Sequence, residues 1–386
     1  MRQHLAEADP LQIQYQQKRW FLEAVGGRWL RPSKEEGRIV RRGKSMSILE
    51  AFGDGTMRAD TATPDEIAQF VAAAAVQAPS LHNTQPWRFY HGDREFSIAA
   101  NNERQLRIAD PLGREMMISC GAALFNVRVA VRCLNFVPKV RVLPEPDLPN
   151  LVAGVTWDQH VPSREQEREL FAQIAKRRTH RGGFDAARLP ASLLAALRDE
   201  AATEQATLTL LADDPLRTSA IAAVVEAGDC ALRLDTARAK EEASWAPGPA
   251  SHRLDGVPPT AYPAVPERTE PFFRSRDYAH GHGWGLPPKQ EDRAVRSAGV
   301  VGVLSTAADR PADWIRAGQA LQRVLLVASS WHVSAAMHSQ PLEIPLLREF
   351  MRTCLCDGGC PQMVLRFGTT DERAVSMRHP VSDVLF

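Results

Sequence analysis

The stretch APSLHNTQPWRFY, residues 78–90, decides how this chain is read. It closes one apolar helical run and opens an extended one. Two prolines, a serine and an asparagine stand within it, a denser set of turn-forming and hydrogen-bonding groups than a plain connection needs. Just upstream, Thr63-Pro64-Asp65-Glu66 is a helix start: a hydroxyl cap, a proline in the first turn, and acids near the positive helix end. The apolar run 67–76 carries that helix to Ala78-Pro79, where proline stops it. Downstream, WRFYHG and EFSIAA flank Gly92-Asp93 and predict a β-hairpin.

Working outward, residues 111–135 predict a long helix, KVRVL and VAGVTW two strands, and residues 163–176 an amphipathic helix ending in a basic cluster. A second series follows. It comprises a helix over 190–202, the strand TLTLL, a helix over 215–245, a strand over 300–305, a helix over 314–332 and the strand MVLRFG. SCGAALFNVRVAV (119–131) and RAGQALQRVLLVA (316–328) share Gly, Ala, Leu and Val at matching positions, which suggests a repeat with a glycine where two long helices approach. Residues 246–288 are dense in Pro, Gly and aromatics, among them Tyr262, Phe272, Phe273, Tyr278 and Trp284. A segment that long and that aromatic predicts a lid rather than a solvated linker.

Residues 1–56 are rich in Gln, Arg, Lys and Gly without a sustained period, and are expected to be a poorly ordered extension. No window is expected to span a bilayer, and the early acids argue against a secretory signal. With a net charge of +1, no global field favours nucleic acid or an anionic membrane. The expectation is a cytoplasmic chain with reduced thiols. Cys120 and Cys133 lie in apolar helical contexts and read as small hydrophobes. Cys354, Cys356 and Cys360 raise a zinc question, but a Gly-Gly turn with bystander thiols is the better reading, so no metal is expected.

The second chemistry-bearing cluster is Lys176-Arg177-Arg178-Thr179-His180-Arg181-Gly182-Gly183. Guanidinium forks beside a hydroxyl match phosphate geometry; a solvated basic helix end is the plainer alternative. No Gly-x-Gly-x-x-Gly, P-loop or Gly-x-Ser-x-Gly pattern is present, and Ser80 has no sequence-defined base, so Rossmann, Walker and serine-hydrolase chemistry lack support.

APSLHNTQPWRF resembles the Pro-Ser-x-x-Asn-x-Gln-Pro-Trp motif of the FMN-dependent nitroreductase family. RRTHR resembles that family's Arg-x-Ser/Thr-x-Arg/Lys phosphate motif, and SMRHPVSDVLF its C-terminal arginine and short tail. The order departs from the usual one: here the arginine motif follows the asparagine motif by about a hundred residues. Ordinary members are homodimers that hold each flavin between the arginine motif of one subunit and the asparagine motif of the other. A tandem fusion keeping one copy of each resembles the Acg-type branch of the family.

That resemblance implies an α+β, nitroreductase-like fold: two pseudo-symmetric modules in one chain, 57–160 and 161–386, with mixed sheets flanked by long helices. It implies a monomer with an internal pseudo-dimer and a lid over about 246–288. FMN would be held by Arg177, Arg178, Thr179, Arg181 and Arg378 at its phosphate and ribityl chain. Pro79, Ser80 and Asn83 would meet it from the other module, with Ser339 and Gln340 near its reactive nitrogen. Gln85-Pro86-Trp87 would be structural. The chemistry would be borne by the cofactor, with NAD(P)H as electron donor and a nitroaromatic or quinone-like acceptor. The rival implied by a long aromatic lid is a flavin-sequestering protein with little turnover.

Overall fold

The computed structural model describes residues 61–386 apart from 249, 264–266, 275–294 and 373–375. The expected extension over 1–56, together with Tyr278 and Trp284, lies outside the described residues. The first helix, α1 (Pro64–Ala75), starts as its sequence predicts. Thr63 Oγ1 accepts from the Glu66 amide at 3.2 Å while the Glu66 carboxylate accepts from the Thr63 amide at 2.9 Å, which satisfies two orphan helix-end donors.

Strands β1 (Trp87–Gly92) and β2 (Glu95–Ala100) pair antiparallel with Gly92 opposite Glu95, so the two-residue turn is Asp93-Arg94. Then come α2 (Arg114–Cys133), β3 (Lys139–Val142), β4 (Leu151–Thr156), α3 (Glu165–Ile174), α4 (Ala191–Thr203) and β5 (Thr207–Leu210). The single helix expected over 215–245 is two, α5 (Pro215–Leu234) and α6 (Thr236–Ala243). Asp235 breaks it: its side chain caps α6 by accepting from the amides of Ala237 and Arg238. The chain closes through β6 (Arg268–Glu270), β7 (Val295–Ser297), β8 (Val300–Thr306), α7 (Pro311–Ser330), β9 (Ser334–His338), α8 (Pro345–Cys354) and β10 (Cys360–Gly368).

Two four-stranded sheets result, ordered β1-β2-β4-β3 and β5-β8-β10-β9, and every strand pair in them is antiparallel. In chain order both run first, second, fourth, third, and in both the long helix lies between the second and third strands. Parallel character enters at the edges. Leu385 bridges Phe89 beside β1, and Thr179 bridges Ala335 beside β9. The C-terminal tail thus joins one sheet and the arginine motif the other.

The described residues belong to one compact unit. At its centre α2 crosses α7, with Gly121 and Gly318 at the crossing. A Cβ on Gly318 would collide with the Ile118 carbonyl and one on Gly121 with the Ile315 carbonyl, so the backbones pack at a separation that only glycine permits. A buried hydrogen bond, Gln322 Nε2 to Asn126 Oδ1 at 2.8 Å, ties the same helices. By length and composition α2 could cross a membrane, contrary to the expectation that no window would. Its apolar character has another cause, since 83% of the qualifying window is buried inside the fold. Cys120 on that helix is wholly buried, and burial pushes its thiol up to about 12.

Candidate functional site

The turn after α1 is strained. His82, Asn83 and Gln85 all adopt left-handed φ, at 46°, 56° and 50°. Such conformations cost of order 1 kcal/mol or more for residues with a side chain, so contacts around them must hold them. Those contacts are specific. Ser80 Oγ accepts from the Gln85 amide at 2.9 Å, which closes the turn on itself. Asn83 is buried, donates from Nδ2 to the Met377 carbonyl at 3.1 Å, and accepts from Arg378 Nη1 at 2.8 Å. Gln85 is wholly buried; its Oε1 accepts from the His379 amide at 2.9 Å and its Nε2 donates to the Leu254 carbonyl at 2.8 Å. The turn therefore grips both the C-terminal tail and the start of the Pro-rich segment.

The tail delivers Arg378, and the chain after α3 delivers Arg177, to one place. Arg177 Nη2 donates to the Gln77 carbonyl at 3.2 Å; Arg378 Nη2 donates to the Gln77 and Ala78 carbonyls at 3.4 and 3.3 Å. Both guanidiniums crowd the C-terminal end of α1, whose dipole favours cations, and neither has a carboxylate among its hydrogen-bond partners. Burial, with Arg378, Arg178 and Arg181 nearby, pushes Arg177 down to about 9. Burial with Arg178 and Arg181 pushes Arg378 down to about 10. The Nε atoms of both are buried without a hydrogen-bond partner. Desolvated like charges with idle donors fit a phosphate-bearing group, whose oxygens would answer both deficits.

Beside this cluster lies a cavity of about 120 Å³. Of the sequence-predicted residues it gathers Pro79, Ser80, Thr179, Arg181, Ser339 and Gln340. Asn83, Arg177, Arg178 and Arg378 are not in its lining. Asn83 faces the tail, and Arg178 is exposed with its guanidinium on the Ala175 and Arg177 carbonyls. Thr179 reaches the cavity because the arginine motif runs parallel to β9, with the His180 amide donating to the Ala335 carbonyl at 2.9 Å. The end of β9 then presents His338, Ser339 and Gln340 to the same space. From the Pro-rich segment come Val257 and Tyr262, the latter under Arg181 with the guanidinium 5.7 Å from the ring centroid.

Sequence comparison identifies the family. Over 322 residues, 82% of this chain and 89% of the relative, the sequence is 30% identical to a Mycobacterium tuberculosis protein named "Putative NAD(P)H nitroreductase Rv3131". The chain belongs to the nitroreductase family. Within the family it is of the Acg type: the Mycobacterium tuberculosis protein named "Putative NAD(P)H nitroreductase acg" is 26% identical over 330 residues, 84% of this chain and 97% of that one. Its fold is the α+β nitroreductase fold. Among solved structures, an Anabaena variabilis protein titled as a nitroreductase covers 85% of this chain and 93% of itself, with a TM-score of 0.44 and 10% identity. A Bacteroides fragilis nitroreductase with bound FMN covers 55% of this chain and 93% of itself, with a TM-score of 0.31 and 13% identity. No protein-family model matches the chain.

In this family member the cavity also holds groups that the sequence did not assign to the site: His82, Glu115, His180, His338 and Arg366. Arg366 on β10 is wholly buried between the rings of Phe184 and Phe273, 5.3 and 5.2 Å from their centroids. It donates to His338 Nε2 and to the Ala298 and Gly182 carbonyls, and burial pushes it down to about 9. His180 donates from Nε2 to the Gly183 carbonyl at 2.7 Å, and burial foremost pushes it down to about 4. Glu115 is buried against the Arg114 guanidinium at the start of α2. Only the local density of RRTHR advertised basic chemistry; a single Glu or Arg inside an apolar run carries no such signal. Among the described residues no group of His, Cys, Asp and Glu is arranged to hold a metal ion.

Proposed function

We propose that this chain is an FMN-dependent oxidoreductase that passes hydride from NAD(P)H to a nitroaromatic or quinone-like acceptor. The observation that carries the reading is the convergence of Arg177 and Arg378 on the Gln77 carbonyl, desolvated, with idle Nε donors and no carboxylate partner. Arg177, Arg378 and Arg181 would hold the phosphate. Thr179, Ser80 and Pro79 would meet the ribityl chain and ring from the two sides of the cavity, with Ser339 and Gln340 along its far wall. Asn83 acts one step back, by fixing Arg378.

Bound there, FMN supplies reversible hydride chemistry between a nicotinamide and an acceptor. The residues orient it and shield it: Leu321, Met363 and Ile118 line the cavity as apolar wall, and Val257 and Tyr262 cover it. No side chain is required as general acid or base in this reading. The repeated strand order favours a tandem of two modules, 57–160 and 161–386, working as a monomer that contains its own dimer interface.

A second reading, a flavin-sequestering protein with little turnover, has its own observation. Described parts of the Pro-rich segment are held beside the cavity by Gln85 on the Leu254 carbonyl, Arg104 on Asp255 at 2.9 Å, and Tyr262 under Arg181, which supports a lid there. Such a lid would obstruct nicotinamide stacking. Stopped-flow mixing of the FMN-loaded protein with NADH and NADPH separates the two. Bleaching within seconds supports the oxidoreductase. Bleaching that appears only after residues 246–288 are removed supports sequestration. A chain that binds no FMN overturns both.

A further inference from the structure

The C-terminal tail and the Pro-rich segment are held by the same two side chains. Gln85 gives one end to each: its Oε1 accepts from the His379 amide and its Nε2 donates to the Leu254 carbonyl. Arg104 joins the same partners with charge. Its Nη1 donates to Asp255 Oδ2 at 2.9 Å and to the Thr84 carbonyl at 3.0 Å, while its Nη2 stands 3.0 Å from His379 Nε2. A guanidinium only donates, so Nε2 is the acceptor and the imidazole proton lies on Nδ1, towards Asp383 Oδ2 at 3.6 Å. Asp255 also takes Arg253 Nε at 2.8 Å. Residues 84–85, 254–255 and 379 thus form one hydrogen-bonded circuit. Gln85 is wholly buried, so breaking its two bonds leaves polar groups unsatisfied away from water.

The circuit touches the ligand site from two directions. On one side His379 follows Arg378, whose guanidinium meets that of Arg177 at the Gln77 carbonyl. On the other, Asp255 stands two residues before Val257, and Val257 and Tyr262 line the cavity. The Val257 amide donates to the Trp245 carbonyl at 2.9 Å, which docks the chain between circuit and cavity. Gln85, Arg104 and Asp255 themselves do not line the cavity. A group that pins Arg378 therefore pins His379, and through Gln85 and Arg104 it pins the wall made by Val257 and Tyr262.

We propose that Gln85 and Arg104 couple the tail to the Pro-rich segment, so that a phosphate-bearing ligand held by Arg378 fixes residues 253–262 against the cavity and is retained, whereas the same ligand without its phosphate is not. The choice of FMN as that ligand rests on the flavin reading; the coupling of tail to segment does not. The coupling is reciprocal: whatever the phosphate adds to the order of the segment, the ordered segment adds to the affinity for the phosphate-bearing ligand.

Arg104→Met and Asp255→Asn test it. The first removes the contact with both elements, and the second keeps the shape of the segment and removes only a charge. Hydrogen exchange of the full chain is read by mass spectrometry over residues 251–262 and 376–386. Without flavin, each variant is expected to exchange about fivefold faster or more in both stretches. Faster exchange in one stretch alone, or in neither, overturns the coupling. At saturating concentration FMN is expected to slow exchange over 251–262 about fivefold or more, and riboflavin, with the same ring and no phosphate, less than about twofold. Equal protection by the two overturns the phosphate control. FMN should leave Arg104→Met about tenfold faster than it leaves the parent chain, with riboflavin dissociation unchanged. An unchanged FMN rate, or equal acceleration of both flavins, overturns the phosphate control as well. A chain that binds neither flavin overturns it together with the flavin reading, and the flavin-free exchange still judges the coupling.

Discussion

Arg177 and Arg378, which lie far apart in sequence, donate to the same backbone oxygen, that of Gln77. Two buried guanidiniums meeting at one carbonyl are mutually repulsive, and both are held below the ordinary arginine range by burial and by each other's neighbours. An anion between them converts that repulsion into attraction. Replacing either by the nearly isosteric methionine removes one charge-assisted partner, of roughly 1.5–3 kcal/mol. The expected outcome for Arg177→Met or Arg378→Met is FMN binding weakened about 10- to 100-fold, measured by fluorescence titration. For Arg177→Met the melting temperature without FMN should stay the same or rise, because a like charge has been removed. A variant that melts earlier without FMN yet binds it normally would make these arginines structural.

Asn83 ties that cluster to the turn. Its two side-chain hydrogen bonds hold residues 377 and 378 against a left-handed backbone. Asn83→Leu keeps the volume, removes both bonds, and places a branched side chain at positive φ. The tail should loosen, with protease cleavage near residue 377 accelerating severalfold and FMN dissociating about tenfold faster. Asn83→Asp would keep the acceptor for Arg378 and recover most of the FMN affinity, which distinguishes lost positioning from general damage.

Legibility in the sequence followed how local each signal was. The start of α1 is readable because the side chains of Thr63 and Glu66 each bond the other's amide, three residues apart. The glycine crossing was readable from two matched helices, since Gly121 and Gly318 occupy the same place in each run. The division at Asp235 was missed because an aspartate inside an apolar pattern reads as solvent-facing until its capping bonds are seen. β9 was missed because SAAMH neither alternates nor carries branched residues, and tertiary pairing with β10 makes it a strand. At the site, RRTHR announced itself by density. Asn83 stands out within its motif, but its bonds to residues 377 and 378 do not, because those partners are close only in the folded chain. Glu115, His338 and Arg366 were not singled out at all, since each is a lone polar residue within an apolar element.

The α2–α7 crossing gives the sharpest stability prediction. Gly318→Ala adds one methyl group where the Ile118 carbonyl already stands, with the Ala122 amide nitrogen and Gly121 Cα also within 3 Å. Helix propensity alone would make Gly→Ala stabilising by up to about 1 kcal/mol. Overpacking against backbone costs about 1–3 kcal/mol, occasionally more, and wins here because neither helix can yield without moving its sheet. Urea denaturation should show a net loss of at least about 2 kcal/mol for Gly318→Ala. At Gly248, where an added Cβ meets nothing within 4 Å, the same change should be nearly neutral.

His180 predicts how the fold responds to acid. Burial foremost, with Arg366, Arg296 and Arg181 adding to it and the Gly183 hydrogen bond opposing, pushes its pKa down to about 4 from an ordinary 6.5. Between those values the unfolded chain takes up a proton that the folded chain refuses, so stability falls as pH drops from about 6.5 towards 4. Above 6.5 both states are neutral at this residue and the effect vanishes. A window of about 2.5 pH units corresponds to a loss of order 3 kcal/mol from this group. Carboxylates add their own acid sensitivity, so the informative quantity is a difference. His180→Gln keeps a donor for the Gly183 carbonyl and cannot titrate. Urea unfolding at pH 7 and pH 4.5 should show the variant losing about 2–3 kcal/mol less than the parent chain on acidification. An identical loss in the two proteins would mean that His180 accepts its proton in the folded state.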